Sequence, residues 1–409
     1  MHKRINYCRL CGNTELVQVL DLGVQALTGI FPKTKEERVT TGPLRLVKCV
    51  GDGACGLLQL GESYDPAEMY GQNYGYRSGL NPSMVAHLRG TIGRLIAKQP
   101  LRQDSVVIDI GSNDSTTLQA YPVGRCTPIG VDPTGVKFSK YYPEHITLIP
   151  EFFPSASLRR VMGDRKAAII TSFSMLYDLE DPLEFARSVA RELEEEGLWV
   201  FEQSYMPTML AQNSYDTVCH EHVEYYALHQ IKWMADRADL KLIDVEFNDV
   251  NGGSFCVTAA RQQSKRQPSP TVEATLRRER EEGLFTLRPY SEFARRVSDS
   301  RKALTEFLGE ARRRGKRVHG LGASTKGNVI LQYCAITEAE IGRIGEVNED
   351  KFGAYTPGSH IPIESEARVL ADAPDYLLVL PWHFRRFFVG NTKFPQGKLV
   401  FPLPTLEVM

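Results

Sequence analysis

VVIDIGSNDSTTL, residues 106–118, is the stretch on which the reading of the fold turns. A β-branched run ends at Ile110, a single glycine follows, and polar residues then lead toward a helix start. This is the form of the first strand, turn and helix of a doubly wound α/β domain. The turn is not G-x-G-x-x-G, so a close backbone approach to a pyrophosphate is poorly provided for. Asp109, Gly111 and Asn113 instead suit a nucleoside without phosphates, whose ammonium group the acidic and amide side chains can receive.

Working outward, GVDPT places Asp132 at the tip of the next strand, where a carboxylate accepts the hydroxyls of a ribose. The two strand-end features together suit S-adenosylmethionine, although the acid alone serves NAD equally well. Phe153, beside Phe152, can flank an adenine or pack in the core, and Ser172 closes the AAIITS strand near the same ligand. TPIGVD, AAIITS and LWVFEQ read as further buried strands, and LEFARSVARELEEEG between the last two reads as a helix stopped by Gly197. KLIDVEFND and SFCVTAA flank Asn251-Gly252-Gly253 as an antiparallel hairpin, so the parallel sheet is expected to end in antiparallel strands.

The 409 residues exceed one ordinary core, and the divisions expected are 1–66, 67–262, 263–315 and 316–409. A net charge of −1 gives no field favouring nucleic acid or an anionic membrane. The N-terminus lacks the apolar stretch of a signal peptide and no segment is apolar for long enough to span a bilayer, so a cytoplasmic enzyme is expected. Residues 263–315 read as a linker and charged connecting helices. Residues 316–409 resume a βα succession with RVHGLG, RIGEVNED and YLLVLPWHF, a Rossmann-like pattern.

Four of the eight cysteines cluster in the first segment: Cys8 and Cys11 as C-x2-C, then Cys49 and Cys55 spaced by five residues. Four thiolates in a tetrahedron make a closed structural zinc site with no position for substrate. Cys126, Cys256 and Cys334 read as small buried hydrophobes.

SYDTVCHEHVEYYAL, 214–228, concentrates groups that carry protons. The zincin pattern needs histidines four apart on one helix, and His220 and His222 are two apart. In a strand or loop they can share a face and ligate a metal with a carboxylate, though no further ligand cluster stands beside them. GLGASTKGN, 320–328, breaks the Walker A order, yet a glycine-rich strand-to-helix loop with Ser324, Lys326 and Asn328 can hold a diphosphate or simply make a tight turn.

These stretches, with CRLCG, YGYRSGLNPSM (74–84), NDVNGGSF and VLPWHF, resemble the S-adenosylmethionine-dependent C-methyltransferases of nucleotide-linked keto-deoxysugars. The resemblance covers essentially the whole chain. It implies a zinc-binding N-terminal module, a central class I methyltransferase domain and a C-terminal Rossmann-like domain, with the sugar in a cleft between them. It also implies His222 as the base, with Glu221 beside it and Tyr76 at the reacting sugar, as catalytic residues. Tyr76, Ser324, Lys326 and Asn328 would then contact the nucleotide sugar. Two positions depart from the family pattern: Ser115 stands where a glycine is usual, and Cys219 where tyrosine is frequent.

The reaction implied needs a base, because a sugar C–H becomes acidic only beside a ketone. C3 methylation next to a C4 ketone of a 4-keto-6-deoxysugar is the expectation, C5 being the alternative. No nucleic acid or membrane partner is expected, and the chain is expected to be a monomer or small homo-oligomer. A zinc-containing NAD(P)-dependent oxidoreductase is the competing reading, opposed by the missing G-x-G-x-x-G.

Overall fold

A computed structural model describes residues 2–69 and 76–409. Tyr74 and Gly75 of the YGYRS motif lie outside the described residues.

The N-terminal module is an antiparallel sheet of β1 (Leu16–Ala26), β2 (Thr41–Cys49) and β3 (Leu58–Leu60). Helix α1 (Pro82–Lys98) opens the central domain, with Asn81 accepting from Ser83 N–H as its cap. The central strands are β4 (Val106–Ile110), β5 (Thr127–Val131), β6 (Thr147–Ile149) and β7 (Ala167–Phe173). They continue, past helix α2 (Pro182–Glu192), with β8 (Leu193–Ser204). After the short strand β9 (Glu224–Tyr225) and helix α3 (Leu228–Ala235) come β10 (Leu240–Asn248) and β11 (Ser254–Arg261).

Seven of these make one sheet in the order β10-β11-β8-β7-β4-β5-β6. β11 pairs antiparallel with β8 and β10, and the rest of the sheet is parallel. All five residues of β4 are buried, as expected of a strand covered on both faces, and that is why it reads as an apolar run broken only by Asp109. The NGG hairpin is present between β10 and β11.

Two sequence expectations shift. The helix expected to reach Gly197 stops at Glu192, and Leu193 already pairs with Ala167. Gly197 lies in the irregular stretch that follows, where a Cβ would sit 2.8 Å from Ala167 O. The residue thus permits close strand approach, and it does not cap the helix. After Gly111 the chain makes only a 3-10 turn at Leu118–Ala120, because Asn113 and Ser115 adopt positive φ (49° and 63°) and interrupt helix growth.

Helices α4 (Pro270–Glu281) and α5 (Arg288–Arg313) connect to the C-terminal domain. α5 buries Tyr290, Phe293, Val297, Leu304 and Leu308 at helical spacing and exposes pairs such as Arg295–Asp299. The C-terminal domain contains β12 (Val318–Leu321), helix α6 (Thr325–Tyr333), β13 (Ile344–Glu346), β14 (Ile363–Ser365), β15 (Tyr376–Val379), β16 (Leu399–Phe401) and β17 (Glu407–Val408). Their order, β14-β13-β12-β15-β16-β17, is doubly wound as expected. Among the described residues no helix is long and apolar enough to cross a membrane.

Candidate active site

The four clustered cysteines converge. Their Sγ atoms all lie within 4.8 Å of one another, with Cys8–Cys55 at 3.4 Å and Cys11–Cys49 at 3.6 Å. Zinc–sulfur bonds of about 2.3 Å place tetrahedral sulfurs about 3.8 Å apart, so the donor set fits zinc. Asn13 Nδ2 donates to Cys49 Sγ at 3.3 Å and steadies one ligand from outside. Among the described residues this is the only such cluster of potential metal ligands.

The stretch around His222 crosses between domains. Tyr215–Thr217 forms a 3-10 turn, and His222 N–H closes a second turn onto Cys219 O at 3.2 Å. The H-E-H triplet is therefore a turn, which sends its two histidines to different places. The ring of His220 is fully buried and meets Tyr64 of the N-terminal module edge-on, with centroids 4.6 Å apart. His222 packs on Tyr177 at 4.4 Å and lines a pocket with Ser204, Met206, Met209 and Thr217. The open alternative of a shared metal thus finds no ligand set among the described residues. β9 then leaves the central domain and joins the N-terminal sheet, Glu224 opposite Gln59 and Tyr225 opposite Leu58. Tyr226 returns to bridge Tyr205 at the end of β8.

One hydrogen bond decides what His222 can do. Its Nδ1 lies 3.0 Å from Thr217 O. A carbonyl oxygen only accepts, so Nδ1 carries the proton and Nε2 keeps a free lone pair. Burial, reinforced by the charge of Lys326, pushes the imidazole down to about 4. His222 is therefore neutral near pH 7. Lys326 comes from the first turn of α6, and its Nζ donates to Asn251 O at 2.9 Å. Lys326, expected from the sequence at a diphosphate, thus lies within electrostatic reach of His222. His383, pushed down to about 3 by burial and by Lys326, shares this region.

Glu221 lies where the three domains meet. Thr28 Oγ1 donates to its Oε2 at 3.4 Å, and a Cβ at Gly29 would fall 2.7 Å from its Oε1 and 3.8 Å from Thr325 Oγ1. Burial raises the carboxyl of Glu221, and burial with the adjoining Glu221 charge raises the thiol of Cys219.

At the carboxyl ends of the central strands, Gly111 turns with φ +75°, and a Cβ there would sit 3.2 Å from Met175 Cγ. Met175 and Tyr177 lie two residues apart, so one loop touches both the glycine turn and His222. Asn113 holds the chain at Tyr76: its Nδ2 donates to Tyr76 O at 3.2 Å, and its Oδ1 accepts from Ser78 N–H at 3.0 Å. Tyr76 is 48% exposed beside that turn. Asp132 reaches back to Asn113 N–H at 2.7 Å and takes Thr134 N–H and Oγ1, each at 2.7 Å. A positive-φ glycine turn, an adjacent amide and a strand-end carboxylate are a donor and acceptor set that fits S-adenosylmethionine.

Other expected contacts are turned inward. Asp109 is buried, accepts from Thr171 Oγ1 at 2.6 Å, and is pushed up to about 7 by burial. It organises the sheet beneath the ligand surface. Ser172 accepts from Trp199 Nε1 at 3.0 Å, and Phe153 packs edge-on against Phe185 at 5.3 Å. Ser324 accepts from Gly327 N–H as the cap of α6, while Asn328 is fully buried with Nδ2 donating to Thr28 O at 2.8 Å. Both therefore shape and anchor the loop. Sequence reasoning missed Met175, Tyr177, Thr217 and Trp382, whose meeting with these groups is not signalled by local pattern.

Three family models match the chain in succession: a zinc binding domain over residues 8–70, a methyltransferase domain over 84–245, and a C-methyltransferase C-terminal domain over 249–404. The chain is 28% identical to C-methyltransferase NovU of Streptomyces niveus, over 99% of this chain and 97% of that protein. Two solved structures each align over less than half of this chain. One is a complex of the Haloferax volcanii Trm112 methyltransferase activator with a methyltransferase (13% identity, 45% of this chain and 94% of that chain, TM-score 0.37). Another is an S-adenosylmethionine-dependent methyltransferase from Clostridium acetobutylicum (10% identity, 43% and 92%, TM-score 0.34). At those scores neither adds to the argument. The family models cover all three parts of the chain and side with methyl transfer against the oxidoreductase reading. The chain is an S-adenosylmethionine-dependent C-methyltransferase, built from the three domains that these family models describe.

Proposed function

We propose that this enzyme methylates C3 of a nucleotide-linked 4-keto-6-deoxysugar, with His222 Nε2 as the base. The observation that carries the reading is the hydrogen bond from His222 Nδ1 to Thr217 O, which leaves Nε2 unprotonated on a residue that lines the pocket. S-Adenosylmethionine, when bound, supplies an electrophilic methyl group on a sulfonium whose departure as a thioether drives the transfer.

The protein's own part is proton transfer and charge stabilisation. Nε2 takes the proton from the carbon beside the ketone, and the C–H electron pair becomes an enolate. Taken alone, an imidazole held near 4 is a weak base. As the proton moves, negative charge grows on the ketone oxygen, strengthening the base and attracting the ammonium of Lys326. The cation that depresses His222 before reaction thus stabilises the enolate formed by it. Tyr76, held at the glycine turn through Asn113, offers its hydroxyl to the same oxygen. Glu221 orients the junction through Thr28. The loop carrying Met175 and Tyr177 supports placing the base next to the cofactor turn.

The test is methyl transfer from S-adenosylmethionine to a panel of TDP- and GDP-linked 4-keto-6-deoxyhexoses. Product mass and NMR should show one added methyl group at C3. Binding of S-adenosylhomocysteine with no methylated product across the panel would overturn the substrate reading, and a methyl at C5 would correct its position. His222→Asn should retain cofactor affinity and lose both turnover and solvent exchange of the α-proton.

A further inference from the structure

The turn Tyr215–Thr217 belongs to the central domain by sequence, yet the C-terminal domain grips it. The ring of Tyr215 is fully buried and packs edge-on against Tyr333 at 5.4 Å. Its hydroxyl lies 3.8 Å from Cys334 Sγ, just past the end of α6. The next residue, Asp216, is fully buried, and its Oδ2 accepts from Trp382 Nε1 at 2.8 Å. The third, Thr217, donates its backbone N–H to Ser214 O at 3.1 Å and has its carbonyl oxygen on His222 Nδ1.

These three consecutive residues connect two domains in one line. A carboxylate inside the protein needs donors or a countercharge, since burying it alone is costly. Trp382 provides a donor, and Lys326 provides charge. Both come from the C-terminal domain, so the side-chain donor on Oδ2 and the countercharge are present only while that domain is docked, and with Oδ1 already lacking a partner the carboxylate can spare neither. The carbonyl that fixes the tautomer of His222 is one residue away.

We propose that Trp382 and Asp216 are positioning residues that make the proton state of His222 depend on docking of the C-terminal domain. Neither touches the reacting atoms. With Trp382 in place, the 215–217 turn is rigid and Nδ1 is held as the donor. Without its indole N–H, Asp216 loses a buried partner, the turn relaxes, and His222 populates both tautomers. Only one of these presents a lone pair at Nε2. This coupling rests on the base assignment made above.

The test replaces Trp382 with phenylalanine, and separately with 3-benzothienylalanine, which keeps the bicyclic shape and puts sulfur in place of the N–H. The second variant keeps the test open should the first fail to fold. Two readouts separate positioning from a merely structural role: the His222 tautomer by 15N-imidazole NMR, and the kcat-against-KM split with α-proton exchange in D2O, using a TDP- or GDP-linked 4-keto-6-deoxyhexose that the wild type methylates. We expect a single Nδ1–H tautomer in the wild type and averaged signals in both variants. kcat and exchange should fall about tenfold, equivalent to about 1.4 kcal/mol, with both KM values within about twofold. A folded variant with the wild-type tautomer and an exchange rate within about twofold of wild type would overturn the coupling. If exchange is lost in His222→Asn but kept in the Trp382 variants, the coupling alone fails. If exchange persists in His222→Asn, the base assignment fails with it.

Discussion

Gly29 and Glu221, 192 positions apart in the chain, face each other so closely that a Cβ on Gly29 would fall 2.7 Å from Glu221 Oε1. The N-terminal module is thus a wall against Glu221 as well as a zinc-binding unit. Glu221 cannot retreat freely, because Thr28 holds its Oε2. Gly29→Ala is expected to displace the carboxylate and lower kcat by about tenfold or more, overpacking of this kind costing about 1–3 kcal/mol. Affinity for S-adenosylhomocysteine, measured by calorimetry, should stay within about twofold, since the cofactor turn lies at Gly111.

The pH profile should carry the signature of a depressed histidine. With His222 at about 4, the acid limb of kcat/KM lies below pH 5, well under the ordinary histidine value of 6.5. Lys326 helps hold it there by disfavouring a second positive charge. Lys326→Gln should therefore move the limb upward, toward about 6.5, in whatever activity remains. A limb that stays in place would show that the ammonium does not act on the base.

Metal analysis should find about one zinc per chain, as four thiolates close one tetrahedron. Cys11→Ser, or stripping with a strong chelator, should lower the melting temperature and the yield of folded protein. Activity should fall in parallel, because β9, directly after His222, is paired with β3 of the zinc module. Normal stability after complete zinc removal would contradict a structural role.

His220 gives a separate, thermodynamic prediction. Burial pushes it from 6.5 to about 4, so the unfolded chain binds its proton first as pH falls. Stability therefore declines progressively from about pH 6.5 to about pH 4, by at most about 3 kcal/mol for this one group. His220→Phe, which keeps a ring against Tyr64, should flatten that part of the curve of melting temperature against pH. An unchanged slope would mean that other buried histidines dominate.

The central strands were legible because a strand covered on both faces is mostly apolar, as VVIDI and AAIITS are apart from Asp109, Thr171 and Ser172. The four cysteines were legible because a zinc knuckle is a local pattern with few other uses. What sequence reasoning could not provide was direction. Whether His220 and His222 share a face depends on a turn at Cys219–His222, and nothing in C-H-E-H announces it. Asp109 looked like a ligand contact from its place at a strand end, and the hydroxyl that turns it inward belongs to Thr171, 62 residues later. Asp216 and Trp382 are 166 residues apart, and each alone is an ordinary polar or aromatic residue. Long-range pairs of this kind fix the site, and one-dimensional pattern is blind to them.

The two-residue strand Glu224–Tyr225 has a consequence for anyone recombining such enzymes. Because it is stitched into the zinc module's sheet, the seams between interchangeable parts do not follow the order of the chain. A chimera that exchanges residues 1–66 alone would present β3 with a foreign edge and Glu221 with a foreign wall. The transplantable unit is discontinuous: the module together with residues 219–226, grafted as two segments at once.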